Sequence, residues 1–241
     1  MAPSAARKQS FVLVHGAWHG GWCWRRVADR LVRRGHRVFT PTLTGLGERA
    51  HLLDEKTDLS THIEDVARVI ECEDLERLVL VGHSYGGMVV SGVAERAEQK
   101  IASIVFLDAF VPENGKCLLD YVPAERRKEN EALAAKSGGR TLPPLAAEWF
   151  KVNENDCAWV DAKCTPHPFA SFTEKARLSG ARERIARKTY VRAGGYPSVY
   201  FSGFLAQLGA DPTWRTYELS CGHDIMVDMP ERLAEILEEV A

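Results

Sequence analysis

Apolar and polar positions along this chain come in blocks. Phe11 to Val14 is a short, continuous, largely β-branched apolar run, which predicts a strand buried on both faces. Trp22 to Arg34 follows at helical spacing: Trp24, Val27, Leu31 and Val32 share one face, and Gly35 stops the helix. A second strand is expected over His36 to Thr40, ended by Pro41. Helices over Thr61 to Glu71 and Tyr85 to Glu98 then alternate with strands over Leu78 to Val81 and Ile104 to Leu107. In the first of these helices Ile63, Val66, Ala67 and Ile70 fall on one side. Strand–helix alternation of this kind implies right-handed crossovers and a parallel sheet covered on both faces.

After Pro112 the pattern changes. Down to about Arg184 no strand is evident, and Pro123, Pro143, Pro144, Pro166 and Pro168 separate short amphipathic helices. The same stretch concentrates aromatic residues: Tyr121, Trp149, Phe150, Trp159, Phe169 and Phe172. It reads as a helical cap, residues 112–184, inserted into a core made of residues 1–111 and 185–241. The sheet resumes at Thr189 to Val191 and at Arg215 to Leu219, and a last helix runs from Pro230 to Val240. Asp228 fits the N-cap of that helix, and Glu231 three positions on completes a capping-box pattern.

A length of 241 residues fits one domain with an insertion. A chain of this size buries roughly 70–75% of its unfolded surface, so no metal or disulfide is needed to hold it together. The 31 basic and 33 acidic residues leave a net charge of −2, which gives no electrostatic basis for binding nucleic acid or an anionic membrane. No apolar run approaches the ~20 residues of a membrane span. Met1 to Ser10 carry charge but no apolar core, so they read as a short disordered lead-in and not as a signal peptide. The six cysteines, at 23, 72, 117, 157, 164 and 221, form no C-x-x-C pair and no zinc spacing. They predict free thiols in a reducing cytoplasm, with no metal and no cofactor.

The strongest chemical signal is Gly82-His83-Ser84-Tyr85-Gly86, a G-x-S-x-G. A predicted strand runs into it and an apolar helix leaves it, which resembles the nucleophile elbow of α/β-hydrolases. A serine at the tip of such a corner projects its hydroxyl free of the sheet, and the glycines let neighbouring backbone come close. A serine hydroxyl needs a base. Of the eight histidines, His223 lies on the loop between the last strand and the last helix, where the base is expected. His83 lies beside the serine, but adjacent residues at a sharp turn point apart; His36 opens a strand; and His51, His62 and His167 have no placement that favours them.

The acid is less conventional. The loop after the penultimate strand, Ala193 to Ser198, holds no carboxylate. Asp211 precedes the last strand, Asp224 adjoins the base, and Asp228 is better read as a helix cap. Asp108 remains, at the C-terminal end of the strand beside the nucleophile's strand, and it keeps the order serine, acid, histidine. Its alternative reading is a structural aspartate capping the loop into Pro112. Acyl transfer also needs an oxyanion hole, and its donors are expected to be the backbone N–H groups of Ala17 and Tyr85.

His15–Trp24 (HGAWHGGWCW), Pro41–Leu52 (PTLTGLGERAHL), Leu80–Val89 (LVGHSYGGMV) and Val105–Gly115 (VFLDAFVPENG) together resemble one group of α/β-hydrolases. The group comprises plant methylesterases, plant hydroxynitrile lyases and bacterial small-ester esterases. The resemblance implies the α/β-hydrolase fold, Ser84 as nucleophile, His223 as base, and Ala17 with Tyr85 as oxyanion donors. The plant enzymes carry their acid after the later strand; this chain is closer in pattern to the bacterial esterases, with Asp108. Hydroxynitrile lyases have a threonine at the place of Ala17 and a lysine at the place of Asp224, so a negative charge would meet leaving cyanide here.

The function expected is therefore a serine carboxylesterase acting on small to medium, apolar or aryl esters through an acyl-enzyme. Trp18, Tyr121, Trp149 and Trp159 are expected to line its pocket. A ligand receptor that turns over very slowly, or a hydroxynitrile lyase, are the alternatives. Haloalkane dehalogenase and epoxide hydrolase chemistry would need an aspartate at Ser84. The partners expected are a small-molecule ester and, because relatives are often dimers, a second copy of the chain.

Overall fold

The apolar runs assemble into one parallel sheet in the computed structural model, which describes residues 8–241. The lead-in expected over Met1 to Ser10 lies outside the described residues up to residue 7, and Ser10 already belongs to a strand. In chain order the first half comprises β1 (Ser10–Val14), α1 (Arg25–Arg33), β2 (Arg37–Phe39), α2 (Leu59–Cys72), β3 (Leu78–His83), α3 (Gly86–Ala97) and β4 (Ile101–Leu107). There follow α4 (Ala124–Ala135), β5 (Thr141–Leu142), α5 (Glu154–Asp161), β6 (His167–Pro168), α6 (Ala170–Thr173) and α7 (Ala181–Arg184). The chain closes with β7 (Arg187–Ala193), α8 (Val199–Gly209), β8 (Trp214–Leu219), α9 (Ile225–Asp228) and α10 (Pro230–Glu239).

The main sheet has the order β2-β1-β3-β4-β7-β8, with every neighbouring pair parallel. Phe11 to Val14 and Leu78 to Val81 are wholly buried, as a sheet covered on both faces requires. From β1 the chain steps outward to β2 and then returns past β1 to β3. Right-handed crossovers in opposite directions send their helices to opposite faces. Accordingly α1 packs with α10, and α2 with α3. The reversal leaves a crevice at the C-terminal ends of β1 and β3, where open α/β sheets bind their ligands.

Several elements differ from the pattern-based expectation. The first helix begins at Arg25 because Gly21–Trp24 wind as a tight 3₁₀ turn. Val32 is 55% exposed: it sits one residue, about 100°, around from buried Leu31. Residues 112–184 contain a two-stranded antiparallel ribbon, β5 with β6, too short to leave a periodic signature. Helix α8 was not expected, because apolar residues surround it almost evenly and give no stripe. Asp228 does not cap α10. Met229 holds that place, and the Asp228 carboxylate instead accepts from Gly222 N (3.0 Å), Asn153 N (3.2 Å) and Asn153 Nδ2 (2.9 Å). Glu231 is turned outward to Arg30 and Arg34.

Candidate active site

Strand register brings the candidate side chains together. His83 is level with Leu107, and Leu107 with Val191, so Ser84 and Asp108 each stand one residue past the paired ends of adjacent strands. Both adopt positive φ, 53° at Ser84 and 42° at Asp108. A non-glycine residue held there carries of order 1–3 kcal/mol of strain, which persists only where surrounding contacts impose it. At Ser84 the contacts are backbone ones: its N–H donates to Leu107 O (3.2 Å), and its carbonyl accepts from Gly87 N (3.0 Å) and Phe110 N (3.2 Å). The corner also requires its glycines. A Cβ on Gly82 would stand 2.6 Å from Gly86 O, and one on Gly86 would stand 2.8 Å from Val14 O.

His223 lies on the loop after β8, fixed by its N–H donating to Phe150 O (2.9 Å). Its Nδ1 is 2.6 Å from Asp108 Oδ2, and both residues are buried. The Nδ1–H donating to the carboxylate leaves Nε2 free to accept a proton. The imidazole is stacked between Phe150 and Phe201, with centroids at 5.5 and 5.3 Å, and touches Tyr196. These rings restrict its orientation.

The second oxygen of Asp108 is also taken. Oδ1 accepts from Arg192 Nη1 (2.7 Å) and Ala193 N (3.1 Å). Arg192 is buried, and its guanidinium also donates to the carbonyls of Ala193 and Tyr196. Asp108 is thus a buried carboxylate with a charged partner and three donors, the arrangement that makes such burial tolerable. Arg192 lies in β7, the strand whose loop lacks a carboxylate. Sequence reasoning missed it, because β7 also carries Arg187, Lys188 and Thr189, and nothing in the chain sets Arg192 apart from them.

Ala17, after β1, and Tyr85, after β3, flank the crevice at the strand reversal. Among the described residues, neither backbone N–H has a hydrogen-bond acceptor. Buried amides are nearly always paired, and these two belong to residues that line the same cavity as Ser84.

Ser84, His223, Ala17 and Tyr85 line a common cavity with Trp18, Trp149, Phe110, Phe150, Phe172, Tyr196, Tyr200 and Phe201. It offers about 80 Å³ to the centres of water-sized molecules. Two residues expected in the lining are elsewhere. Tyr121 accepts from Glu113 N through its hydroxyl (2.7 Å) and packs on Phe110 and Phe204. Trp159 sits edge-on to Trp22 at 5.0 Å, under the Arg26 guanidinium. Each is held by packing on its own side of the chain. Tyr200 and Phe201, from α8, were not foreseen.

Asp224 does not face the cavity. It is wholly buried and paired with His19, Nε2 to Oδ2 at 2.9 Å. Position 224 therefore brings neither a cation nor an anion to the cavity, and cyanide release would find no positive charge there. Cys221 is a packing residue. Burial first, then the Asp228 and Asp108 charges, push its thiol up to about 12, leaving no thiolate near neutrality. Among the described residues no group of three or more His, Cys, Asp or Glu side chains could hold a metal ion. Nor is any described helix long and apolar enough to cross a membrane.

Four other histidines pack around the site uncharged. Burial is the largest cause that lowers His15, to about 3, and it also lowers His62, His83 and His167. Their nitrogens are used in neutral contacts, such as Leu43 N donating to His15 Nε2 (3.0 Å) and Trp18 N donating to His167 Nδ1 (3.3 Å). In the unfolded chain each would protonate near 6.5. Their contribution to stability is therefore complete above pH 6.5 and is lost as pH falls toward their depressed folded values. Each group that stays neutral in the folded chain while it protonates in the unfolded one contributes up to about 1.4 kcal/mol per pH unit. The urea midpoint is expected to fall below pH 6, with net proton uptake on unfolding. A midpoint flat from pH 7 to 5 would refute this. The His19–Asp224 pair acts in the opposite sense at its upper limit. Burial opposes the charge on His19, but Asp224 overrides it and raises His19, while the His19 charge and hydrogen bond override burial to hold Asp224 low. That contribution is present above the ordinary carboxylate pKa and is lost as pH rises through the raised value of His19.

A parallel sheet, a strained serine between its third strand and the following helix, and a His–Asp pair one strand away define the α/β-hydrolase class. Residues 11–236 match the alpha/beta hydrolase family, and the chain belongs to it. It is 44% identical over 236 residues to a carbendazim hydrolyzing esterase of Nocardioides sp. (strain SG-4G), covering 95% of this chain and 98% of that one. Over 107 residues it is 40% identical to methyl jasmonate esterase 1 of Vitis vinifera, covering 44% of this chain and 41% of the grape protein. Among solved structures it superposes on an extracellular α/β-hydrolase from a Paenibacillus species, which shares structural and functional homology with tobacco salicylic acid binding protein 2. The TM-score is 0.86 at 26% identity, over 97% of this chain and 99% of that one. These relatives put the protein in the esterase group of the family, as an enzyme that hydrolyses esters.

Proposed function

We propose that the protein is a serine carboxylesterase in which Ser84 is the nucleophile, His223 the base, and Asp108 the acid that orients it. The observation that carries this reading is the 2.6 Å contact between His223 Nδ1 and Asp108 Oδ2, buried beside the strained Ser84 corner. Ser84 Oγ attacks the ester carbonyl carbon as its proton passes to His223 Nε2. The carbonyl oxygen becomes an oxyanion received by the Ala17 and Tyr85 amides. The tetrahedral intermediate collapses, the C–O bond to the alcohol breaks, and His223 returns the proton to the leaving oxygen. Water then attacks the acyl-enzyme by the same route, releasing the carboxylic acid and restoring Ser84.

Residues 112–184 act in this reading as a cap that closes the cavity through Leu118, Leu145, Trp149, Phe150 and Phe172. The aromatic lining of the cavity favours apolar or aryl esters. The carbendazim-hydrolysing relative makes carbendazim a second compound to assay.

An acyl-enzyme makes a direct kinetic prediction. With p-nitrophenyl acetate, stopped-flow mixing is expected to show a burst of nitrophenolate approaching one equivalent per chain, followed by repeated turnover. A burst without further turnover would support a receptor instead. Steady turnover unaffected by a serine-directed fluorophosphonate would remove Ser84 from the mechanism.

A further inference from the structure

We infer that His19 is a positioning residue that ties the oxyanion loop to the loop of the base, a role that rests on the serine-esterase reading above. The two loops leave β1 and β8, which have three strands between them in the sheet. At about 4.8 Å per strand interval their ends are separated by nearly 20 Å, so no ladder hydrogen bond couples them. His19 spans the gap that the loops leave as they converge over the sheet. Its Nδ1 donates to Ala17 O (2.8 Å), the carbonyl of the candidate oxyanion donor. Its Nε2 donates to Asp224 Oδ2 (2.9 Å), on the residue that follows His223. Both partners are acceptors, so both ring nitrogens carry hydrogen and the side chain is an imidazolium.

The surroundings support a fixed strut. His19 is buried, Asp224 is fully buried, and Trp22 stacks on the imidazole at 5.2 Å with a 19° interplanar angle. His83, the neighbour of Ser84, joins the same assembly. Its Nε2 donates to His223 O (3.1 Å) and stands 3.7 Å from Asp224 Oδ1, which has no hydrogen-bond partner among the described residues. One cluster therefore touches the residues adjoining all three reacting elements: the serine corner, the base and the oxyanion loop. Neither His19 nor Asp224 lines the cavity. Their loss should leave substrate binding intact while misplacing the groups that meet the transition state.

The test compares wild type with His19→Phe, which keeps a ring against Trp22, and with the double variant His19→Gln/Asp224→Asn. The double variant leaves no uncompensated buried charge, so it remains informative if His19→Phe does not fold. Active sites are counted from the p-nitrophenyl acetate burst or by fluorophosphonate labelling. Kinetic constants are then expressed per active site. A displacement of about 1 Å can cost roughly 10²-fold, so kcat is expected to fall ~10²-fold in His19→Phe and at least ~10-fold in the double variant, with KM within about threefold. A trifluoromethyl ketone, which mimics the tetrahedral intermediate, should lose affinity by the same factor as kcat/KM. If the melting temperature falls but per-site kcat and inhibitor affinity keep their wild-type values in whichever variant folds, His19 is only structural and the inference is overturned. Failure of the serine reading itself would appear separately, as wild-type turnover that a serine-directed fluorophosphonate does not abolish.

Discussion

Ser84→Ala is expected to lower kcat for p-nitrophenyl acetate by about 10⁵–10⁶-fold while leaving the melting temperature within a few degrees of wild type. Alanine keeps the Cβ, so the backbone corner at φ 53° bears the same strain, and its hydrogen bonds to Leu107, Gly87 and Phe110 involve only main-chain atoms. What disappears, in the mechanism proposed, is the oxygen that forms the acyl-enzyme. A residual rate of roughly 10³ over water should survive, because in that mechanism the Ala17 and Tyr85 amides and the cavity still bind and polarise the ester. KM should change little for the same reason. Assays of both proteins side by side, with thermal melts, check this. More than a tenth of wild-type kcat in the variant would mean that another group carries the chemistry.

Asp108→Asn is expected to lower kcat by about 10⁴-fold, and the reason is tautomeric. Oδ1 of Asp108 faces two donors, Arg192 Nη1 and Ala193 N, while Oδ2 faces His223 Nδ1. An asparagine in the same place must turn its carbonyl oxygen toward the two donors. Its NH₂ group then points at His223 Nδ1, which must give up its hydrogen to accept. The proton moves to Nε2, and the imidazole can no longer take one from Ser84. The substitution also leaves the buried Arg192 guanidinium without its counter-charge, which typically costs about 3–5 kcal/mol. The rate must therefore be referred to the folded fraction, measured by circular dichroism at the assay temperature. A folded Asp108→Asn enzyme within tenfold of wild type would show that the acid assignment is wrong. No neighbouring carboxylate offers itself as a substitute: Asp211 is held by Thr213 at the surface, and Asp228 by Gly222 and Asn153.

Much of the sheet was legible in the chain because its signals are local. Four-residue apolar runs such as Phe11 to Val14 have no solvated face, and a G-x-S-x-G between such a run and an apolar helix leaves few conformations for the serine. The order serine, aspartate, histidine pointed to Asp108 once the loop after β7 was seen to lack a carboxylate. Element boundaries moved by a few residues, mainly where hydrogen bonding extends a strand beyond its apolar centre, as at Ile101–Leu107. Helix α8 stayed hidden because its apolar residues surround the axis and leave no period to detect. Asp228 misled because a capping box was present in sequence, yet the chain gave its carboxylate to Gly222 and Asn153 instead.

The sequence alone determined the parallel α/β sheet, the serine corner and the loop that bears His223, since each depends on neighbours within a few residues. Only the tertiary structure decided that Arg192 meets Asp108 across 84 positions and that His19 meets Asp224 across 205. The tertiary structure likewise put Tyr200 and Phe201 in the cavity and kept Tyr121 and Trp159 out of it. Periodicity reports that a face is buried but not what it is buried against. That choice is set by strand order and by how loops from distant strands converge, and a buried charge or aromatic ring takes its role from whichever partner they deliver.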